Sequence, residues 1–185
     1  MRSFIAINLP DTVKTNLGAI IGRLRPTVPP AKWVAPSNLH LTLKFLDEIS
    51  EDQIGPLTQA IQRGLAKHPA INFRIGGFGA FPSDRRARVF WVGISEGADA
   101  LVTLAASIDK EVVKLGFTPE ERPFSAHITL ARLREPAPLV GMLGVASATG
   151  YNSPPISVAQ VDLMQSSLTP SGSVYSVLDS VSMKV

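Results

Sequence analysis

Ser37-Asn38-Leu39-His40-Leu41-Thr42-Leu43-Lys44-Phe45-Leu46 and Phe124-Ser125-Ala126-His127-Ile128-Thr129-Leu130-Ala131-Arg132-Leu133 place two of the chain's 3 histidines in one frame, His-x-Thr-x. In extended backbone, side chains two positions apart share a face. His40 and Thr42 therefore point one way, and Leu41, Leu43 and Phe45 the other. His127 and Thr129 repeat the split against Ile128 and Leu130. A lone histidine on a half-buried strand is usually structural. Two in matched frames point instead to two facing sheets that bring both His/Thr pairs into one cleft.

Reading outward, extended and helical patterns alternate. Ser3–Leu9 reads as a strand, followed by a helix over Asp11–Arg25 with Val13, Leu17, Ile20, Ile21 and Leu24 at helical spacing and Asp11 or Thr12 as N-cap. Prolines make Thr27–Asn38 a loop. After the strand Leu39–Leu46 comes a helix over Ser50–His68, capped by Ser50 and acidic at its start. Ala70–Pro82 and Ala87–Ile94 are strands joined by the polar turn Ser83–Arg86. A longer helix over Ala98–Gly116 carries Leu101, Leu104, Ile108, Val112 and Leu115 on one stripe, with Gly116 as its stop. The strand Ala126–Leu133, a shorter helix around Leu139–Ala146 and a closing hairpin over Ile156–Met183 complete the chain. The two histidine strands occupy comparable places in two similar halves. Short turns between neighbouring strands favour an α+β arrangement of mostly antiparallel sheet over a doubly wound parallel one. No linker separates the halves, so residues 1–185 are expected to form a single two-lobed domain.

Composition sets bounds on function. Of the 185 residues, 45% are hydrophobic and 18% charged, the balance of a globular chain with a core. Lys plus Arg number 18 against 15 Asp plus Glu, a net charge of +3 that suits an anionic ligand without requiring one. The absence of cysteine removes disulfides, thiol nucleophiles and cysteine-ligated zinc, and agrees with a cytoplasmic location. The apolar start stops at Pro10 without a small-residue cleavage site, so no signal peptide is expected. No apolar run approaches the roughly 20 residues needed to span a bilayer.

Two imidazoles and two hydroxyls facing across a cleft suit displacement at phosphorus. One histidine can begin neutral as general base and the other protonated as general acid, on opposite sides of an in-line reaction. Threonine hydroxyls can donate to the non-bridging oxygens where charge grows. Paired histidines also suggest a metal, but no Asp, Glu or further His joins either frame at ligand spacing, so no metal or other cofactor is expected. His68, before Pro69 at a helix end, reads as a surface or capping residue.

The two frames, with the flanks Arg2–Pro10, Lys32–Leu46, Ala87–Ile94 and Arg122–Leu133, resemble the two-histidine (2H) phosphoesterase superfamily, in particular the RNA 2′,3′-cyclic phosphodiesterases once called 2′-5′ RNA ligases. The resemblance covers nearly the whole chain. It implies a bilobal α+β fold of two pseudo-symmetric lobes, helices outside and a central groove between. The implied activity is metal-independent hydrolysis of a terminal 2′,3′-cyclic phosphate to a 2′-phosphomonoester; separately, a monomer is expected. By the same resemblance, His40 is the proton donor to the departing 3′ oxygen and His127 the proton acceptor that activates water. Thr42 and Thr129 hold phosphoryl oxygens, and Arg132 is the phosphate-contacting arginine. Odd spacing from His127 puts Arg132 on the wrong face of a regular strand, so it reaches the groove only if the strand twists or ends near Ala131.

The implied partners are RNA with a 2′,3′-cyclic phosphate end or small cyclic nucleotides. Phosphodiesterase or ligase chemistry on 2′-5′ linkages, and a non-catalytic RNA-binding module, are the alternatives. The family often has Gly where this chain has Asp47. Lys44 shares parity with His40 and reads as a solvated strand-end lysine or a phosphate contact. Arg85, Arg86 and Arg88 form a basic cluster that reads equally as a hairpin tip or an RNA guide. Trp33, Phe45 and Trp91 offer rings for base stacking, although alternation assigns Phe45 to the core.

Overall fold

The protein, seen in a computed structural model that describes residues 1–27 and 30–184, builds two sheets from nine strands. The elements run β1 (Arg2–Asn8), α1 (Asp11–Leu24), β2 (Ala31–Trp33), β3 (His40–Glu48), α2 (Ile54–Leu65), β4 (Asn72–Phe81) and β5 (Ala87–Glu96). They continue α3 (Ala98–Val113), β6 (His127–Ala137), α4 (Val140–Ala148), β7 (Ile156–Ser157), β8 (Gln160–Thr169) and β9 (Gly172–Ser182). One sheet has the order β3-β1-β8-β9 and the other β2-β6-β5-β4-β7, with antiparallel pairing throughout both. Helices α2 and α3 pack together behind β3, β8 and β9, while α4 lies against β4 and meets α1. This is the expected bilobal α+β architecture. The sequence halves are nevertheless interleaved, because each sheet takes strands from both halves of the chain. Among the described residues no helix is long and apolar enough to cross a membrane.

The apolar periodicities become the core. Val13, Leu17, Ile20, Ile21 and Leu24 of α1 are all buried, as are Leu101, Leu104, Ile108 and Val112 of α3. Each such side chain contributes about 1.5–3 kcal/mol on leaving water. Leu115 departs from its expected stripe, because α3 ends at Val113 and the turn that follows leaves Leu115 37% exposed. Helix α1 begins at Asp11 itself, with Pro10 at the cap position and no side-chain cap, so neither Asp11 nor Thr12 is the N-cap. Asp11 instead complements the positive end of the helix from its first turn. The expected loop Thr27–Asn38 contains the short strand β2, since Ala31–Trp33 lie between Pro30 and Pro36 with their backbone groups free to pair with β6. Val28 and Pro29 of that loop lie outside the described residues.

Matched irregularities in the histidine strands decide which side chains face the groove. In β3, Ala6 pairs with Thr42 and Ile5 with Lys44, so Leu43 is an extra residue in the ladder. In β6, Trp91 pairs with Thr129 and Phe90 with Ala131, so Leu130 is extra in the corresponding place. A bulge of this kind reverses the facing of everything beyond it. Leu43 and Lys44 both turn inward, as do Leu130 and Ala131, and Phe45 and Arg132 emerge on the side of their motifs' histidines.

Phe45 is therefore 62% exposed and not a core residue, contrary to strict alternation. Lys44 is neither solvated nor a phosphate contact: it is 5% exposed, with Nζ 2.5 Å from Asp109 Oδ1 and donating to the Thr118 carbonyl at 2.9 Å. Asp47 has φ 57°, the left-handed region where glycine is favoured and Asp is tolerated.

Two ion networks tie helices to the first sheet and to each other. Removing Asp109 strands a buried ammonium, whereas replacing Lys44 with an apolar chain removes the charge that needs a partner. Asp109→Ala is therefore expected to cost about 3 kcal/mol in urea unfolding, with Lys44→Met costing clearly less; the reverse order would contradict the ion-pair account. Between α2 and α3, Glu111 accepts from Lys114 Nζ at 2.7 Å and Arg63 Nε at 3.0 Å, and these bonds hold its carboxyl down at about 2. A depressed carboxyl stabilises the fold above its ordinary value of 4.5 and loses that contribution as pH falls toward 2. Glu111→Gln should lower Tm at neutral pH, with the difference from wild type shrinking as melts are repeated between pH 4.5 and 2.

Candidate active site

The sheets face each other across a groove of about 1210 Å³. That exceeds the roughly 300–1,000 Å³ of most small-ligand pockets, leaving room for more than one nucleotide-sized group. His40, Thr42, His127, Thr129 and Arg132 all line it. Strand alternation delivers the first four, and the bulge at Leu130 delivers Arg132.

Each histidine is fixed by the carbonyl two residues before it. His40 Nδ1 lies 2.6 Å from the Asn38 oxygen, and His127 Nδ1 lies 2.7 Å from the Ser125 oxygen. A carbonyl only accepts, so Nδ1 carries the proton in both rings and Nε2 is left for chemistry. The Nε2 atoms differ in their partners. That of His40 is 3.0 Å from Thr42 Oγ1, whereas Thr129 makes no such bond to His127 among the described residues.

Aromatic rings back both imidazoles. Phe4 and Tyr175 lie 4.8 and 5.2 Å from His40, while Phe81 and Trp91 lie 5.1 and 6.2 Å from His127, all between ring centroids. Trp91 can lie across β4 only because its cross-strand partner is Gly79, where a Cβ would come within 2.3 Å of the indole. Burial is the main influence on both histidines and pushes both below their usual range, against the opposing pull of the Asn38 and Ser125 carbonyls. Arg132 lowers both further, and Lys14 adds to the effect on His40. One guanidinium thus acts on both imidazoles.

The remaining candidates separate. Arg88 lines the groove, but its neighbours Arg85 and Arg86 stay on the hairpin tip outside it. His68 lies on the outer side, its Nε2 2.8 Å from the Ser107 hydroxyl of α3. Of the three rings proposed for stacking, only Phe45 lines the groove. Trp33 packs edge-on against Phe90, and Trp91 serves His127. Sequence reasoning missed the aromatic backing and Arg122, another groove cation, because these come from distant segments with no local pattern to join them.

Known proteins match this architecture along its full length. The sequence model of the LigT-like phosphoesterases fits the chain twice, over residues 7–91 and again over 92–175. The chain is 36% identical to an RNA 2′,3′-cyclic phosphodiesterase of Thermotoga maritima, covering 96% of this chain and 93% of that one. It is 31% identical to an RNA 2′,3′-cyclic phosphodiesterase of Methanothermobacter thermautotrophicus, covering 97% of each. Among solved structures, a Thermus thermophilus protein superposes with a TM-score of 0.79 at 32% identity, covering 99% of this chain and 98% of that one. E. coli LigT complexed with 3′-AMP superposes with a TM-score of 0.75 at 26% identity, covering 100% and 98%. With one sequence model matching both halves and each half holding one histidine frame of the shared groove, the chain belongs to the LigT-like phosphoesterase family.

Proposed function

We propose that the protein is an RNA 2′,3′-cyclic phosphodiesterase that opens the terminal cyclic phosphate to a 2′-phosphomonoester without a metal, by two-histidine acid/base catalysis. The observation that carries this reading is the pair of imidazoles lining one groove, each with Nδ1–H bound to a carbonyl and Nε2 left for proton transfer. The shared activity of the full-length relatives supports the substrate class.

In this reading His127 Nε2 takes a proton from water as its oxygen attacks phosphorus, and His40 Nε2 gives a proton to the 3′ oxygen as the P–O3′ bond breaks. The products are a 2′-phosphate and a free 3′ hydroxyl. While His40 is neutral, the Thr42 hydroxyl donates to its Nε2; once His40 is protonated, that hydroxyl is free to donate to a phosphoryl oxygen. Thr129 holds a second oxygen, and Arg132 neutralises charge on the phosphoryl group.

Incubation in chelator with an oligoribonucleotide ending in a 2′,3′-cyclic phosphate should yield the 2′-phosphate, and a 3′-phosphate would reverse the leaving group. Parallel incubations with free cyclic nucleotides and 2′-5′ linked dimers establish which substrate is preferred. His40→Ala and His127→Ala should each lower kcat by about 10²–10⁴-fold, while His68→Ala should leave it near wild type. Equal activity in all three variants would end the two-histidine mechanism.

The pH profile of kcat/KM gives a separate check. Burial lowers both imidazoles from about 6.5 in the free protein, so the base deprotonates and the acid loses its proton at lower pH than usual. A bell-shaped profile with its maximum below pH 6.5 is expected. Arg132→Met should move that maximum upward by a smaller amount than burial moves it down. A maximum above neutrality in the wild type would contradict the environments assigned to the two rings.

A further inference from the structure

The two groove imidazoles rest on matching carbonyls, but the segments that carry those carbonyls are secured in unlike ways. Before His40 the chain makes a helical turn over Pro36–Asn38, in which Asn38 N–H donates to the Ala35 carbonyl at 2.8 Å and Leu39 N–H to that of Pro36 at 3.2 Å. Val34 N–H donates to the Leu130 carbonyl at 2.9 Å, and Asn38 Nδ2 to that of Ser173 at 2.8 Å. The Asn38 carbonyl is thus braced by its own turn and by both sheets.

No such bracing precedes His127. Among the described residues, positions 117–125 make no backbone–backbone hydrogen bond. Phe117 and Phe124 pack against the core, but Thr118, Glu120 and Ser125 are exposed. The polar ties of this segment to the rest of the protein, apart from the His127 ring itself, converge on one ion pair. Lys44 Nζ donates to the Thr118 carbonyl at 2.9 Å, and Glu120 N–H donates to Asp109 at 3.3 Å to Oδ1 and 3.5 Å to Oδ2. Lys44 Nζ and Asp109 Oδ1 are themselves 2.5 Å apart. Lys44 belongs to the strand of His40 and reaches this place only because the extra Leu43 turns it toward α3.

We propose that Lys44 and Asp109 are positioning residues for His127: they tether the segment that presents the Ser125 carbonyl, and so keep the proton of the His127 ring on Nδ1. Apolar contacts at Phe117 and Phe124 are non-directional, so the directional restraint on the segment comes from the ion pair. A neutral imidazole released from its carbonyl exchanges its proton between the two nitrogens. With the proton on Nε2, that nitrogen has no lone pair to take a proton from water. A residue four places after one histidine therefore readies the other, across the groove. The role of His127 as base rests on the phosphodiesterase reading, whereas the position of its proton does not.

Nitrogen-15 spectra of the imidazoles at about pH 8, where both groove rings are neutral, report the tautomer of each histidine. His127 should carry its proton on Nδ1 in the wild type. Lys44→Met should give a mixture of tautomers at His127 and leave His40, with its separately braced carbonyl, unchanged. On 2′,3′-cyclic AMP the same variant should lose about tenfold or more in kcat, with KM within about threefold of wild type. Asp109→Asn keeps an oxygen for both Lys44 Nζ and the Glu120 N–H, and should retain the wild-type tautomer and most of kcat. Glu111→Gln, which weakens the other ion network, should lower Tm without moving either readout. A Lys44→Met protein with the proton of His127 still on Nδ1 and near-wild-type kcat would overturn the positioning role, as would equal losses of kcat in Glu111→Gln. Should Lys44→Met fail to fold, Glu120→Pro removes the N–H given to Asp109 from an exposed position and leaves the buried pair intact. It should shift the His127 tautomer where Glu120→Ala does not, and identical spectra of the two would overturn the tether. If the wild type opens no cyclic phosphate, the spectra still decide the tether, and the phosphodiesterase reading alone fails.

Discussion

The extra leucine in each histidine strand is the constraint on which the groove depends. Without Leu43, Lys44 would face the groove and Phe45 the helices. The buried Lys44–Asp109 contact that ties α3 to β3 would then be lost. Without Leu130, Arg132 would turn away from His127. The unpaired leucine just after each His/Thr pair therefore sets the groove's charge, its open aromatic ring and part of its support from behind. Bulges disrupt a ladder and sharpen its twist. Here they lie immediately beyond the His/Thr pairs, so the motifs stay in regular extended backbone while the residues after them change sides.

The support behind the site is built from the same economy. Carbonyls at Asn38 and Ser125 fix the tautomer of each imidazole from its own chain, two residues away. Rings from other strands fix its plane: β1 and β9 for His40, β4 and β5 for His127. Local sequence thus sets which nitrogen carries the proton, and tertiary packing sets where the other nitrogen points. Gly79 belongs to this second layer, because its missing side chain is the space in which Trp91 lies.

Sequence reasoning was effective wherever the chain kept a regular period. Helix stripes at α1 and α3, and the facing of His40, Thr42, His127 and Thr129, follow from spacings of 3.6 and 2. It failed where one residue broke the count. Strict alternation puts Lys44 and Phe45 on the wrong faces for the same reason, and the obstacle it raises for Arg132 is removed by the equivalent bulge. No residue type announces these bulges, since Leu43 and Leu130 are ordinary strand leucines. The interleaving of the halves was equally hidden, because pairing of β1 with β8 joins opposite ends of the chain and leaves no local trace. The aromatic backing has the same origin, and only the resemblance to a family could supply roles that the periodicity left open.

Matched frames do not make matched chemistry, and an acid/base pair needs its members to differ. Arg132 stands on the strand of His127, where a fixed positive charge discourages protonation and suits a base. For His40 as an acid the balance is adverse: burial outweighs the help its charged form receives from the Asn38 carbonyl, and Lys14 and Arg132 add to the effect of burial in the free protein. In the proposed reaction the missing stabilisation comes with the substrate. A phosphodiester between the two imidazoles brings a negative charge into a partly desolvated groove, where it offsets Arg132 and favours the imidazolium of His40. The hydroxyl of Thr42, released from Nε2 by the same protonation, then faces the anion as a donor. Substrate binding would thereby create the acid that the free site disfavours, coupling the charged state of His40 to the presence of the phosphate it serves.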